Sequence, residues 1–225
     1  MKPNAIIFDF DGVLLESEYA GNLHLAETLT SLGHPVSTEE AMARFMGLAG
    51  PDFHAAIERH IGGPIPEAFH DSRRAEDARV AADGLEAVAG AIAFVRALPA
   101  DLPRAVASSS SIAWIDRHLR HLGLREAFGE HIYSGREHVA RGKPAPDIYL
   151  HAAQQLGVPI EDTLIIEDSP VGVTGAVASG AMVVGLCAGR HCPPDHAAVL
   201  RAKGVEHIAR GFDEIAAMIG LTLPV

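Results

Sequence analysis

Among its 225 residues the chain has two cysteines, Cys187 and Cys192, too few for a disulfide framework. A reducing, cytoplasmic setting is the expectation that follows. Cations are scarce as well: Lys and Arg together number 18 against 29 Asp and Glu, a formal net charge of −11. A field of that sign excludes general nucleic-acid binding, which starts from neutralised phosphates. Long apolar runs are also missing. The first one, Ala5-Ile6-Ile7-Phe8, is closed by Asp9 and Asp11 well before a signal-peptide core or a membrane span could form, so no membrane partner is expected. What is present is 48% hydrophobic and 21% charged residues, the profile of a packed globular protein with one core, or one core and a smaller insertion. An anionic substrate of such a chain needs local cations or a metal.

The continuous apolar run Ala5–Phe8 predicts a strand buried on both faces. From Ser17 the rhythm is helical, with Leu25, Leu29 and Leu32 on one side and Gly33 as terminator. Ser37 and Glu40 then form a capping-box pattern, and Pro51 suits the first turn of a further helix. Beyond Gly84 the pattern alternates: helical Val88–Leu98, strand-like Arg104–Ser108, helical Ile112–Leu122, strand-like His131–Tyr133, helical Pro146–Leu156, strand-like Thr163–Ile166, helical Val171–Ser179 and strand-like Met182–Leu186, with two weak helices in the tail. Such an order predicts an α/β fold, a doubly wound parallel sheet of Rossmann-like type. The all-helical block reads as an inserted cap, with residues 1–16 and 86–225 forming the core and 17–85 the cap.

Acids follow two of the expected strands. Asp9 and Asp11 stand at i and i+2 after the first, and Glu167-Asp168 follows Leu164-Ile165-Ile166. In open α/β sheets ligands bind outside the carboxyl ends of the strands, so both corners converge on one crevice. Carboxylates this close invite a hard divalent cation such as Mg²⁺. Ser108-Ser109-Ser110-Ser111 follows a strand and precedes a helix, where hydroxyls and N–H groups can hold phosphate while a later serine caps the helix. Lys143, in the proline-stiffened Arg141-Gly142-Lys143-Pro144-Ala145-Pro146-Asp147, supplies an ammonium on the same edge. Cys187, His191, Cys192 and His196 are dense but lack a paired Cys-x-x-Cys, so they read as a strand-end cysteine and a polar loop rather than a zinc site. Trp114 reads as core.

Four motifs in order carry a resemblance: Phe8-Asp9-Phe10-Asp11-Gly12-Val13-Leu14-Leu15-Glu16-Ser17-Glu18, Ala107-Ser108-Ser109, Gly142-Lys143-Pro144-Ala145-Pro146-Asp147-Ile148-Tyr149, and Ile165-Ile166-Glu167-Asp168-Ser169. Together they resemble the haloacid dehalogenase-like hydrolases, in particular the phosphatases with a small helical cap after the first motif. The resemblance implies a phosphatase acting on a small phosphorylated metabolite, a sugar or polyol phosphate, through an aspartyl-phosphate. In it Asp9 is the nucleophile and Asp11 the acid and base. Asp9, the Asp11 carbonyl and Asp168 hold Mg²⁺, with Glu167 a further ligand or an outer acceptor. Ser108, Ser109 and Lys143 bind the transferring phosphoryl oxygens.

The β-phosphoglucomutases of the same family are the first alternative. They carry a His twelve residues after the nucleophile, where this chain has Gly21, with His24 one turn on, and an Arg after a cap-loop Gly, where Gly47 is followed by Leu48-Ala49-Gly50-Pro51. Hydrolysis is therefore expected over mutation. Phosphonate hydrolysis in this family uses a cap Lys, and the block from Glu16 to Leu85 has none. A non-catalytic phosphate-sensing binding protein on the same fold is the alternative from another class.

Overall fold

The computed structural model describes residues 1–46, 48 and 50–223. Gly47 and Ala49, in the loop weighed above for a mutase arginine, lie outside the described residues. The described residues divide into two compact units, Met1–Glu16 with Glu86–Val225, and Ser17–Leu85. No helix among them is long and apolar enough to cross a membrane.

The helical unit holds α1 (Ser17–Ser31), α2 (Thr38–Phe45), α3 (Gly50–Ile61) and α4 (Glu67–Asp83). Its core gathers Leu25, Leu29, Ala41, Phe45, Ile57 and Phe69. The capping box forms: Glu40 N–H donates to Ser37 Oγ at 3.2 Å, and Ser37 N–H donates to Glu40 Oε2 at 3.1 Å. In α1, His24 Nε2 lies 3.3 Å from both Thr28 Oγ1 and Ser72 Oγ, so it is tied into this unit's own polar network.

The other unit runs β1 (Ala5–Phe8), α5 (Ala91–Ala97), β2 (Arg104–Ser108), α6 (Ile112–His121), α7 (Arg125–Phe128), β3 (Ile132–Ser134), α8 (Asp147–Leu156), β4 (Thr163–Glu167), α9 (Pro170–Ser179), β5 (Met182–Leu186), α10 (His196–Arg201), β6 (His207–Ala209) and α11 (Phe212–Ile219). The six strands form one parallel sheet in the order β3-β2-β1-β4-β5-β6. This is the doubly wound α/β fold expected from the alternation. Residues of β1 and β4 are buried on both faces because helices cover both. Ile7, Ala105 and Ile165 face α8 and α9. Phe8 points the other way, edge-on to Phe94 of α5 and Phe128 of α7.

Two boundaries differ from the sequence pattern. The helix expected from Val88 starts at Ala91, because Gly90 sits in the left-handed region at φ 83°. The short strand β6 was not expected; with His207 exposed and Ile208 half-buried it carries no apolar run to announce it. Arg104 is a charged residue inside a buried strand, and its guanidinium explains why. It donates to the carbonyls of Leu102 (3.1 Å), Val95 (3.3 Å) and Pro99, closing the end of α5.

Replacing Arg104 by Met should leave those carbonyls without their donor and cost about 2–4 kcal/mol in urea unfolding. A second expectation concerns His118, fully buried in α6. Burial holds its imidazole below the ordinary histidine range, against the smaller pull of Asp11. The unfolded chain therefore takes up a proton that the native state refuses as pH falls through about 6.5. This contribution to stability is complete above that pH and shrinks below it. His118→Phe should lose less of its urea midpoint between pH 7 and pH 5 than the parent chain does.

Candidate active site

Parallel pairing sets the site. Phe8 is in register with Val106 of β2 and with Ile166 of β4, so Asp9, Ser108, Glu167 and Asp168 all emerge at the same edge of the sheet. Asp9, Glu167 and Asp168 are buried, and each presents an oxygen within 4.8 Å of the others. Lys143, from the loop between β3 and α8, places its ammonium among them. Its Nζ donates to Asp9 Oδ1 at 2.5 Å and to Glu167 Oε1 at 2.7 Å. The sequence-predicted acids and lysine thus meet in one place.

Burial pushes the Asp9 carboxyl well above the usual range, and Lys143 pulls it back only in part. Burial also weakens the Lys143 ammonium, but Asp9 and Glu167 outweigh it and hold the amine well above the ordinary lysine range. Glu167 is caged. Its Oε1 also accepts the Tyr149 hydroxyl at 3.0 Å, while Oε2 accepts Ser169 N–H at 2.8 Å and Ser169 Oγ–H at 3.1 Å. A Cβ on Gly172 would stand 1.6 Å from Glu167 Oε1, so α9 must have glycine there. Ser169 also caps α9 by accepting from Gly172 N–H.

Asp11 is held from the other side. Ser110 Oγ–H donates to its Oδ2 at 2.6 Å, Ser108 Oγ–H at 3.4 Å, and the Trp114 indole N–H to its Oδ1 at 3.1 Å. Trp114 is half-buried rather than core, and its ring meets His118 edge-on with centroids 4.2 Å apart. Ser109 is exposed at the mouth of the same loop, and Ser111 is the N-cap of α6. Asp168 Oδ2 accepts from His191 Nε2 at 2.7 Å, and its main-chain carbonyl accepts from His196 Nε2 at 2.6 Å. A Cβ on Gly12, at φ +82°, would fall 2.1 Å from that same Oδ2.

Sequence reasoning missed Ser110, Trp114, Tyr149 and His191 as members of the site. Tyr149 stood inside a quoted motif without a role. Trp114 and His191 carry no local signal, since only the docking of α6 and of the loop after β5 brings them to the acids. The oxygens of Asp9, Glu167 and Asp168 fit a hard cation, because three buried carboxylates face a single ammonium.

A sequence profile of the haloacid dehalogenase-like hydrolases matches residues 3–180, and the chain belongs to that family. It is a hydrolase with the family's α/β architecture. It is 29% identical to 6-phosphogluconate phosphatase of Escherichia coli, over 84% of this chain and 85% of that one. It is 28% identical to hexitol phosphatase A of the same organism, over 86% and 87%. The crystal structure of a haloacid dehalogenase family hydrolase from Deinococcus radiodurans with bound phosphate and sodium superposes with a TM-score of 0.87 at 35% identity, covering 98% of both chains.

Trp114→Phe keeps the ring against His118 and removes the N–H aimed at Asp11. Turnover should fall about tenfold with KM little changed, as expected for a lost hydrogen bond to a charged group that orients rather than binds.

Proposed function

We propose that this chain hydrolyses the phosphate ester of a sugar or polyol through an aspartyl-phosphate on Asp9, with Mg²⁺ as cofactor. The chain is a phosphoric monoester hydrolase acting on a small phosphorylated metabolite. The observation that carries the finer reading is the buried constellation in which Lys143 Nζ sits 2.5 Å from Asp9, with Asp11 two residues on. Asp9 attacks phosphorus, the ester P–O bond breaks, and the Asp11 carboxylic acid gives its proton to the departing alkoxide. Asp11, now a carboxylate, takes a proton from the water that attacks the acyl phosphate, and inorganic phosphate leaves while Asp9 is regenerated. Lys143 and the hydroxyl of Ser108, with Ser109 beside it, bind the transferring oxygens. Asp9, Asp168 and the Asp11 carbonyl would hold the Mg²⁺, whose charge offsets that of nucleophile and phosphate when bound. Glu167, with both oxygens engaged, fits the outer role of fixing Lys143.

Two observations favour hydrolysis over a mutase reaction. Gly21 offers no side chain, and His24 is tied to Thr28 and Ser72. The polyhydroxy phosphates named in two relatives support the substrate class.

Phosphate release from hexitol phosphates, 6-phosphogluconate and an aryl phosphate, with Mg²⁺ and after chelation, tests the reading. Activity should vanish on chelation and return with Mg²⁺. Asp9→Asn should lower kcat by at least about 10³-fold. Asp11→Asn should lower it by about 10²–10⁴-fold and, on an aryl phosphate with its good leaving group, accumulate acid-stable phosphoprotein. An active Asp9→Asn variant would remove Asp9 as nucleophile.

A further inference from the structure

The loop after β5 and the first turn of α10 bring together residues that the mechanism does not use. His191 and His196 are buried, Cys192 is half-buried, and one donor atom from each lies within 4.8 Å of the other two. Two imidazoles and a thiol are a borderline-soft set, unlike the all-oxygen set beside them, and such donors select zinc-class ions over Mg²⁺. Cys192 Sγ lies 3.5 Å from His191 Nε2. Bonds of about 2.0 Å to nitrogen and about 2.3 Å to sulfur, meeting at a tetrahedral angle, put those two donors roughly 3.5 Å apart. The pair therefore already stands at the edge length of a zinc tetrahedron. His196 uses Nε2 to hold the Asp168 carbonyl, which leaves Nδ1 as the nitrogen with a lone pair.

We propose that His191, Cys192 and His196 form a second metal site, for Zn²⁺ or an ion like it, and that filling it withdraws His191 from Asp168. The withdrawal follows because Nε2, the nitrogen that faces Cys192 Sγ at 3.5 Å, is the one the ion would take. His191 Nε2 carries the hydrogen shared with Asp168 Oδ2 at 2.7 Å, and the same nitrogen cannot keep that hydrogen and give its lone pair to an ion. One proton leaves the Cys192 thiol as it binds, and the Asp168 carboxylate loses the donor that orients it. A soft ion thus reads out on a residue of the reaction centre without occupying that centre. The coupling to turnover rests on the proposed hydrolysis; the binding itself does not.

Titration of the full chain with Co²⁺ in excess Mg²⁺, which fills the oxygen site, tests binding apart from activity. One equivalent of Co²⁺ should produce the near-ultraviolet absorption of a thiolate bound to cobalt, and Zn²⁺ should abolish it. The band should persist in Cys187→Ser and in Asp9→Asn and disappear in Cys192→Ser, with circular dichroism reporting that each variant is folded. No band at one equivalent, or a band that survives Cys192→Ser, overturns the site. In phosphate release, Zn²⁺ should inhibit, and Cys192→Ser should raise the half-inhibiting concentration by about 10–100-fold. A filled cobalt site with turnover unaffected by Zn²⁺ overturns the coupling. A chain inactive on every phosphate sinks the hydrolase mechanism while the cobalt spectrum still decides the site.

Discussion

A buried ammonium between two buried carboxylates organises this molecule. Lys143 is 5% exposed, Asp9 8% and Glu167 0% at their side chains. Each charge alone would be expelled from such a place, because desolvation costs several kcal/mol per ion. Together they hold only if the geometry is fixed. Tyr149, Ser169 and the missing side chain at Gly172 fix Glu167, Glu167 fixes Lys143, and Lys143 fixes Oδ1 of Asp9. Three carboxylates against one ammonium still leave the cluster short of positive charge. That deficit is the physical reason the cluster suits a cation, which is the local positive charge an acidic chain needs for an anionic substrate.

The sheet order turns this local constraint into a constraint on the whole core. β1 lies between β2 and β4, so the residues after it can be approached from both sides. Parallel strands in register bring Ser108 and Glu167 to the same edge as Asp9, with no contribution from the outer strands β3 and β6. Phe8, directly before Asp9, is clamped by Phe94 and Phe128, so Asp9 rests on packed aromatic rings rather than on a free loop.

Legibility in the sequence followed burial. Ala5–Phe8 and Leu164–Ile166 are unbroken apolar runs because both faces of the central strands are covered, and the acids directly after them were visible for that reason. His207–Ala209 is a strand too, but a short edge strand half open to water leaves no such run. The position of Lys143 could be read from its stiff loop, whereas its depth could not. Trp114 shows the limit most plainly. Its spacing on α6 suits a core residue, and only the docking of that helix turns the indole N–H toward Asp11. His191 is similar: polar loop residues near Pro193 and Pro194 give no hint that the loop folds back to Gly12 and Asp168. The spacing rule for zinc looks along the chain for a cysteine pair, whereas His191 and Cys192 lie in the loop after β5 and His196 opens α10.

Asp9 and Asp11 are two residues apart, yet separate networks hold them. Asp9 is served by Lys143 from the loop before α8, with Glu167 of β4 and Tyr149 of α8 behind it. Asp11 is served from the β2 side, through Ser108, Ser110 and Trp114, with His118 behind the indole. The hydrogen bonds named for the two acids come from different residues. That separation suits the chemistry assigned to the pair. A nucleophile must keep one geometry through both half-reactions, whereas an acid that becomes a base must change its proton and its partner between them. Asp168 belongs to a third network, tied to His191 on the loop after β5 and to His196 at the start of α10. Each acid of the site therefore has its own support, and the sheet edge is the common element that aligns them.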